Sequence, residues 1–129
     1  MVDPTVRHLL EQTIDSPLKL QLLLMFLDHP NTEGSARQIA GRIFRDMWST
    51  REALEALAED GILAAAVAVG GEAEYRYLPL PRYHEPIARL SRLYNEPLER
   101  DHIQRIVRDT ARNTAMTTQP SRTMLELSF

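Results

Sequence analysis

Residues 35–78 read SARQIAGRIFRDMWSTREALEALAEDGILAAAVAVGGEAEYRYL, two short helical patterns followed by two strand-like runs. Ser35 and Gln38 have the spacing of a capping box, in which the serine oxygen accepts from the third amide and the glutamine reaches back. An apolar face at helical spacing follows: Ile39, Ala40, Ile43 and Phe44. This pattern predicts a helix over about 36–44.

A second helical pattern follows after a short connection. Its cap is either Asp46 or Ser49, the latter with Glu52 in capping-box position. The residues expected to face inward are Met47, Thr50, Leu54, Leu57 and Ala58. Gly61 is the expected stop, because glycine adopts the positive φ that often ends a helix.

Residues 62–69 and 72–78 are predicted to form a β-hairpin around Gly70-Gly71, since a two-residue Gly-Gly loop between strand-like runs is a hairpin signal. Counting outward from this loop gives the following register: Val69 with Glu72, Val67 with Glu74, Ala65 with Arg76 and Leu63 with Leu78. The pattern leaves open which face of the hairpin packs inward.

Further helices are expected on both sides of this region. Asp3-Pro4 and Ser16-Pro17 are start signals for an N-terminal helix over 4–14 and for a strongly apolar central helix that ends near His29-Pro30. Apolar stripes predict two C-terminal helices over 83–113, interrupted at Asn95-Glu96-Pro97. Residues 114–129 are expected to be a loose tail.

Composition indicates one soluble domain, residues 1–113, with its core in 16–80. The chain has 129 residues, no cysteine and a net charge of −3. No apolar run approaches the roughly 18 residues of a membrane span, and the N-terminus lacks the layout of a signal peptide, which favours a cytoplasmic protein. A negative net charge argues against binding nucleic acid through bulk electrostatics.

The predicted class is therefore mainly α with a small β-hairpin (α+β), a helix-turn-helix followed by a hairpin wing and flanked by N- and C-terminal helices. The segments 35–40, SARQIA, and 50–63, TREALEALAEDGIL, resemble winged-helix transcriptional regulators of the MarR, ArsR and PadR kind. In those families a leucine-spaced recognition helix ends in an acidic-Gly-apolar exit into the wing. The resemblance covers about a third of the chain and implies a DNA-binding regulator.

The resemblance also implies site residues. Ser49, Arg51, Glu52 and Glu55 would form the exposed face of the recognition helix. Ser35 and Arg37 would lie near a phosphate at the start of the preceding helix, and Arg76 would lie in the wing. Apart from the resemblance, the spacing of three arginines leaves a basic edge on that helix: Arg37, Arg42 and Arg45. Phe44 departs from the pattern, because a small turn residue is usual there, so we expect a remodelled turn with Trp48 covering the gap.

The sequence is consistent with two functions of different classes, DNA binding and protein binding. The first is a dimeric regulator that binds double-stranded DNA. The second is a winged-helix module whose acidic third helix binds a basic protein partner, because residues 34–82 contain six arginines against seven acidic residues. The stripes of the C-terminal helices would be buried against the N-terminal helix and a second copy, forming a homodimer, or would cap the wing within one chain.

An enzyme is not expected. The four histidines are scattered, and no pair of them has metal-ligand spacing. Phosphate-binding glycine loops, nucleophile elbows and paired carboxylates are absent from the sequence, so neither a cofactor nor a metal is predicted.

Overall fold

The computed structural model describes the backbone of residues 3–67 and 70–127 and the side chains of residues 3–67 and 70–113. The elements in chain order are α1 Pro4–Gln12, α2 Pro17–Asp28, β1 Glu33–Ser35, α3 Ala36–Ile43, α4 Met47–Asp60, β2 Leu63–Val67, β3 Ala73–Tyr77, α5 Pro81–Tyr94 and α6 Pro97–Leu127. The predicted class is confirmed: the chain is mainly helical with a small antiparallel sheet, in a winged-helix-like layout.

The helices begin at the capping residues that the sequence predicts. Asp3 and Ser16 cap α1 and α2, and each side chain accepts a hydrogen bond from a backbone amide of the first helical turn. At α4, where two caps were open, Asp46 serves and Ser49 lies inside the helix. Gly61 ends α4 at φ 95°, as expected for a left-handed stop.

The sheet contains one strand that the sequence does not predict. Three antiparallel strands pair in the order β1-β3-β2, and β1 brings Glu33 opposite Arg76 and Ser35 opposite Glu74. A three-residue strand is too short to show an alternating pattern in the sequence. Strand β1 forms because its backbone hydrogen-bonds to β3.

The predicted hairpin register is wrong by one residue. β2 and β3 pair Leu63 with Tyr77, Ala65 with Tyr75 and Val67 with Ala73. The described pairing ends at Val67 and Ala73, and Gly70 and Gly71 both have positive φ, 106° and 89°. The predicted Val69 pair lies outside the described residues.

This register also answers which face of the hairpin packs inward. Leu63, Tyr75 and Tyr77 all contact the core, and the Tyr77 ring stacks on Phe26 with centroids 6.1 Å apart. Desolvation by burial raises the pKa of the Tyr77 phenol, as expected for a tyrosine enclosed by apolar neighbours. The side chain of Arg76 consequently lies on the exposed face.

Helix α2 is the centre of the core, as its apolar sequence predicts. Leu22, Leu23 and Phe26 are fully buried, and α2 contacts α4 on one side and α6 on another. An apolar helix with several packed sides explains why no single polar face is visible in its sequence.

Helices α1, α5 and the described part of α6 form a helical layer against α2. Within this layer the centres of the predicted stripes of α5 and α6 are buried: Ile87, Leu90, Ile103, Ile106 and Val107. Leu98, the first residue of the α6 stripe, is 86% exposed. An ion pair of 2.9 Å between Arg89 and Asp3 connects α5 to the start of α1. The centres of the stripes are thus covered within one chain, mainly by α1 and α2, and they do not require a second copy to bury them.

Two element boundaries differ from prediction. Helix α1 ends at Gln12, two residues before the expected end, and α6 continues to Leu127, so residues 114–127 are helical where a loose tail is expected. Among the described residues, no helix is both long and apolar enough to cross a membrane.

Candidate nucleic-acid interface

The helix-turn-helix begins with the predicted capping box of α3. The Ser35 hydroxyl accepts from the Gln38 amide at 3.3 Å, and the Gln38 side chain accepts from the Ser35 amide at 2.9 Å. Ser35 is only 6% exposed, so its polar atoms serve the cap. Arg37, one position into the helix, is exposed.

The turn between α3 and α4 has an unusual backbone. Helix α3 ends at Ile43, and Phe44 follows with φ 58° and ψ 44°, the left-handed conformation. Among the described residues, Phe44 is the one non-glycine with positive φ. A bulky L-residue is strained there, because its Cβ approaches the following carbonyl oxygen.

Contacts with α2 hold this turn in place. Gln21 on α2 donates from Nε2 to the Ile43 carbonyl at 3.3 Å and accepts at Oε1 from Arg45 Nη1 at 3.0 Å. One glutamine therefore connects both sides of Phe44 to the core helix. The role of Gln21 in this turn is not recognisable from the sequence, because its partners lie more than 20 positions away.

The expectation that Trp48 covers the turn is wrong. Trp48 is 70% exposed and Phe44 is 91% exposed, so the two large rings on this side of the molecule face solvent. The guanidinium carbon of Arg51 lies 5.0 Å from the Trp48 ring centroid, a cation–π contact that orients both side chains. In the sequence, the unusual turn was indicated by Phe44, a bulky residue at a position where a small one is usual.

Helix α4 separates a buried face from an exposed one. Thr50, Ala53, Leu54 and Leu57 are buried, whereas Met47 and Ala58, also predicted to face inward, are half-buried. Of the residues predicted to face outward, Arg51 is half-buried and three are exposed: Ser49, Glu52 and Glu55. The Thr50 hydroxyl is buried and has no hydrogen-bond partner.

The outward face of α4 changes character along its length. Trp48, Glu52, Glu55 and Glu59 are exposed and follow each other at helical spacing. Two arginines lie toward its N-terminal end: Arg45 in the preceding turn and Arg51 in the first turns of α4. The surface is therefore aromatic and basic at the start of α4 and acidic toward its end.

Carboxyl groups at the two ends of α4 titrate differently. The amide hydrogen bond from Ser49 lowers the pKa of the Asp46 cap, because it favours the charged form. Partial burial raises the pKa of Asp60 at the other end, and the charges of Glu59 and Asp15 add to this. The negative charge at the start of α4 is thus engaged in a cap.

The wing presents Arg76 beside two acidic residues. Arg76 is exposed on β3, with Glu33 opposite on β1 and Ala64 opposite on β2, and Glu74 lies on the same face. A shallow groove of about 300 Å³ runs over these residues. The predicted wing arginine is therefore accessible, and its surroundings are acidic.

The described side chains contain no group of three or more His, Asp and Glu residues that could hold a metal ion. No protein-family model matches the chain, and no curated protein matches it. A solved structure from Methanosarcina mazei Go1, described as a possible transcriptional regulator, is similar over 67% of this chain and 75% of that one, with TM-score 0.47 and 16% identity. Such a distant similarity assigns neither a family nor a function to this chain.

Proposed function

We propose that the protein is a DNA-binding transcriptional regulator that binds duplex DNA through the N-terminal end of α4. The observation that carries this proposal is the pair of arginines at that end: Arg45 in the turn before α4 is exposed, and Arg51 in the first turns of α4 is half-buried and lies over Trp48. Guanidinium forks bind phosphates and the guanine edge in two-point contacts. An exposed helix flanked by such groups suits a major groove.

The acidic part of α4 limits how DNA can approach. Glu55 and Glu59 would face phosphates of like charge, so the duplex is expected near the first two turns of the helix. Arg51 and Ser49 are then the proposed base-reading residues, and Glu52 is a candidate acceptor for cytosine. Arg37, Arg45 and Arg76 are the proposed phosphate contacts, whereas Ser35 contributes through its cap.

Binding to random-sequence duplex DNA tests the proposal directly. Fluorescence anisotropy should detect weak retention near about 50 mM salt, and the affinity should fall steeply as salt rises, because phosphate contacts release counterions. Absence of any binding at that salt concentration would refute the proposal.

Single arginine variants locate the contacts. Arg51→Ala should weaken binding to a selected duplex by about 1–3 kcal/mol if it reads a base. Arg45→Ala should reduce the salt dependence by about one phosphate contact. Arg105→Ala is the matched control, because Arg105 is an exposed arginine on α6 whose partner, Asp101, lies on the same helix. An unchanged affinity in Arg51→Ala would remove Arg51 from the site.

A second function is favoured by one observation, the exposed row of Glu52, Glu55 and Glu59. In this alternative the chain binds a basic protein partner through α4 without contacting DNA. The double variant Glu55→Gln, Glu59→Gln separates the two functions. It should tighten DNA binding by removing repulsion from phosphates, and it should weaken binding to a basic partner.

The proposed regulator does not depend on a homodimer for its stability. The centres of the α5 and α6 stripes that suggested dimerisation are covered within one chain, whereas Leu98 of the α6 stripe is 86% exposed. A two-fold dimer remains the proposed DNA-bound form, because it would present two α4 helices to a palindromic site. Sedimentation with and without a selected duplex measures the number of chains bound.

A further inference from the structure

The two exposed rings at the start of α4 are unusual features of this surface. Phe44 and Trp48 expose most of their area, although neither phosphate binding nor stability requires an aromatic side chain there. They are four positions apart, in the turn before α4 and in its first turn, and exposed apolar surface that gathers in one place on a folded chain marks contact sites. We call Phe44 and Trp48 the aromatic pair.

The backbone at Phe44 is held in a strained conformation. Its left-handed φ of 58° is one that glycine would adopt freely, yet the position holds a phenylalanine. On one side of Phe44 the Gln21 side chain of α2 donates to the Ile43 carbonyl, and on the other it accepts from the Arg45 guanidinium. Strain that the surrounding structure maintains is characteristic of functional positions.

The Trp48 ring is also held in one direction. Arg51 lies over it at 5.0 Å, so part of the indole is covered by a cation while 70% of the residue remains accessible. The same contact orients the Arg51 fork beside the indole. An apolar surface and a base-reading donor are therefore adjacent on α4.

The chemistry of the major groove offers one apolar partner for such a surface. Base edges in that groove carry donors and acceptors, and the exception is the 5-methyl group of thymine. Building on the DNA binding proposed above, we propose that the aromatic pair contacts thymine 5-methyl groups, so that this protein prefers duplexes with thymines beside the base pair that Arg51 reads.

Replacing thymine by uracil removes this methyl group and keeps the base pairing. Duplexes selected by the protein from a random library are amplified with either thymidine or deoxyuridine triphosphate, and both pools are titrated by anisotropy. Each lost methyl contact should weaken binding about fourfold, the equivalent of one buried methyl group. The double variant Phe44→Ala, Trp48→Ala should bind both pools equally.

Controls separate a lost contact from a damaged fold. Leu98→Ala removes an apolar side chain that is 86% exposed on α6, and it should retain the full preference for thymine. If the double variant unfolds at a lower temperature than the unmodified protein, the single variant Phe44→Gly is titrated in its place. Glycine accepts the backbone conformation at this position, so this variant should keep its fold.

Each outcome has a distinct meaning. Equal binding of both pools by the unmodified protein overturns the methyl contact and leaves DNA binding intact. An equal penalty for uracil in the double variant overturns the assignment to the aromatic pair. Tighter binding to single-stranded than to duplex DNA overturns the methyl contact in favour of base stacking. Absence of DNA binding refutes both this inference and the proposed function.

Discussion

Large apolar side chains are buried at the centre of the helical layer of α1, α5 and α6 but exposed in the turn between α3 and α4. In the layer, Leu90 and Ile103 are fully buried, whereas in the turn Phe44 and Trp48 are exposed. Among the described residues, no non-glycine residue of the layer lies in the left-handed region, whereas the turn contains a phenylalanine there. The layer follows the rules that stabilise a fold, and the turn breaks two of them at the proposed contact surface.

The largest expected effect tests the layer. Leu90→Ala should lower the free energy of unfolding by about 2–5 kcal/mol, because it leaves a cavity at a position with no exposed area. Leu98→Ala, at an exposed leucine of α6, should change it by less than about 0.5 kcal/mol. Urea denaturation of both variants measures the contrast. Equal losses would remove the distinction between buried and exposed apolar residues in this layer.

The capping box of α3 gives the next largest effect. Ser35→Ala should destabilise the protein by about 1 kcal/mol and at most about 2, because the Gln38 amide loses its acceptor. Ser49→Ala is the control, since Ser49 is exposed inside α4 and does not serve as its cap. Thermal denaturation compares the two. A smaller loss in Ser35→Ala than in the control would show that the start of α3 does not depend on this cap.

The strained turn should respond in the opposite direction. Phe44→Gly should raise the free energy of unfolding by about 0.5–1 kcal/mol, because relief of the left-handed strain outweighs the extra freedom of glycine in the unfolded chain. Phe44→Ala keeps a Cβ atom and should bring no such gain. Urea denaturation measures both variants. A destabilised Phe44→Gly would mean that the phenylalanine ring contributes more than its backbone conformation costs.

The smallest effect concerns pH at the Asp46 cap. Its pKa is lowered in the folded protein, so its stabilising contribution is present above the pKa of the unfolded chain and is lost as pH falls through the lowered value. Asp46→Asn retains a capping oxygen that does not titrate. The stability advantage of the unmodified protein over this variant should therefore shrink between about pH 5 and about pH 2. Asp3, whose pKa is also lowered, is present in both proteins and cancels in the comparison.

Local signals in the sequence were sufficient for most of the fold. The caps at Asp3, Ser16 and Ser35 and the stop at Gly61 depend on atoms within a few positions, so the helices begin and end close to where they are predicted. The fold class follows from the order of these elements. The predicted register of the hairpin was wrong because the register depends on the length of the connection between the strands, and two glycines do not specify that length.

The candidate site was less predictable than the fold. The accessibility of Arg37, Arg51 and Arg76 follows from helical and strand periodicity, but their roles toward DNA remain predictions. The exposure of Trp48 was not predicted, because a tryptophan next to a turn would ordinarily be expected to pack. The contribution of Gln21 was invisible, since its hydrogen bonds join α2 to a turn that is distant in sequence.

The amino-acid sequence by itself determined the helices, their caps and the α+β class, because these depend on short-range hydrogen bonds and on apolar periodicity. Tertiary structure alone decided the third strand, the register of the hairpin and the exposure of Phe44 and Trp48. These features need partners that are far apart in the chain, and the free energy of a contact exists only when both partners have been brought together.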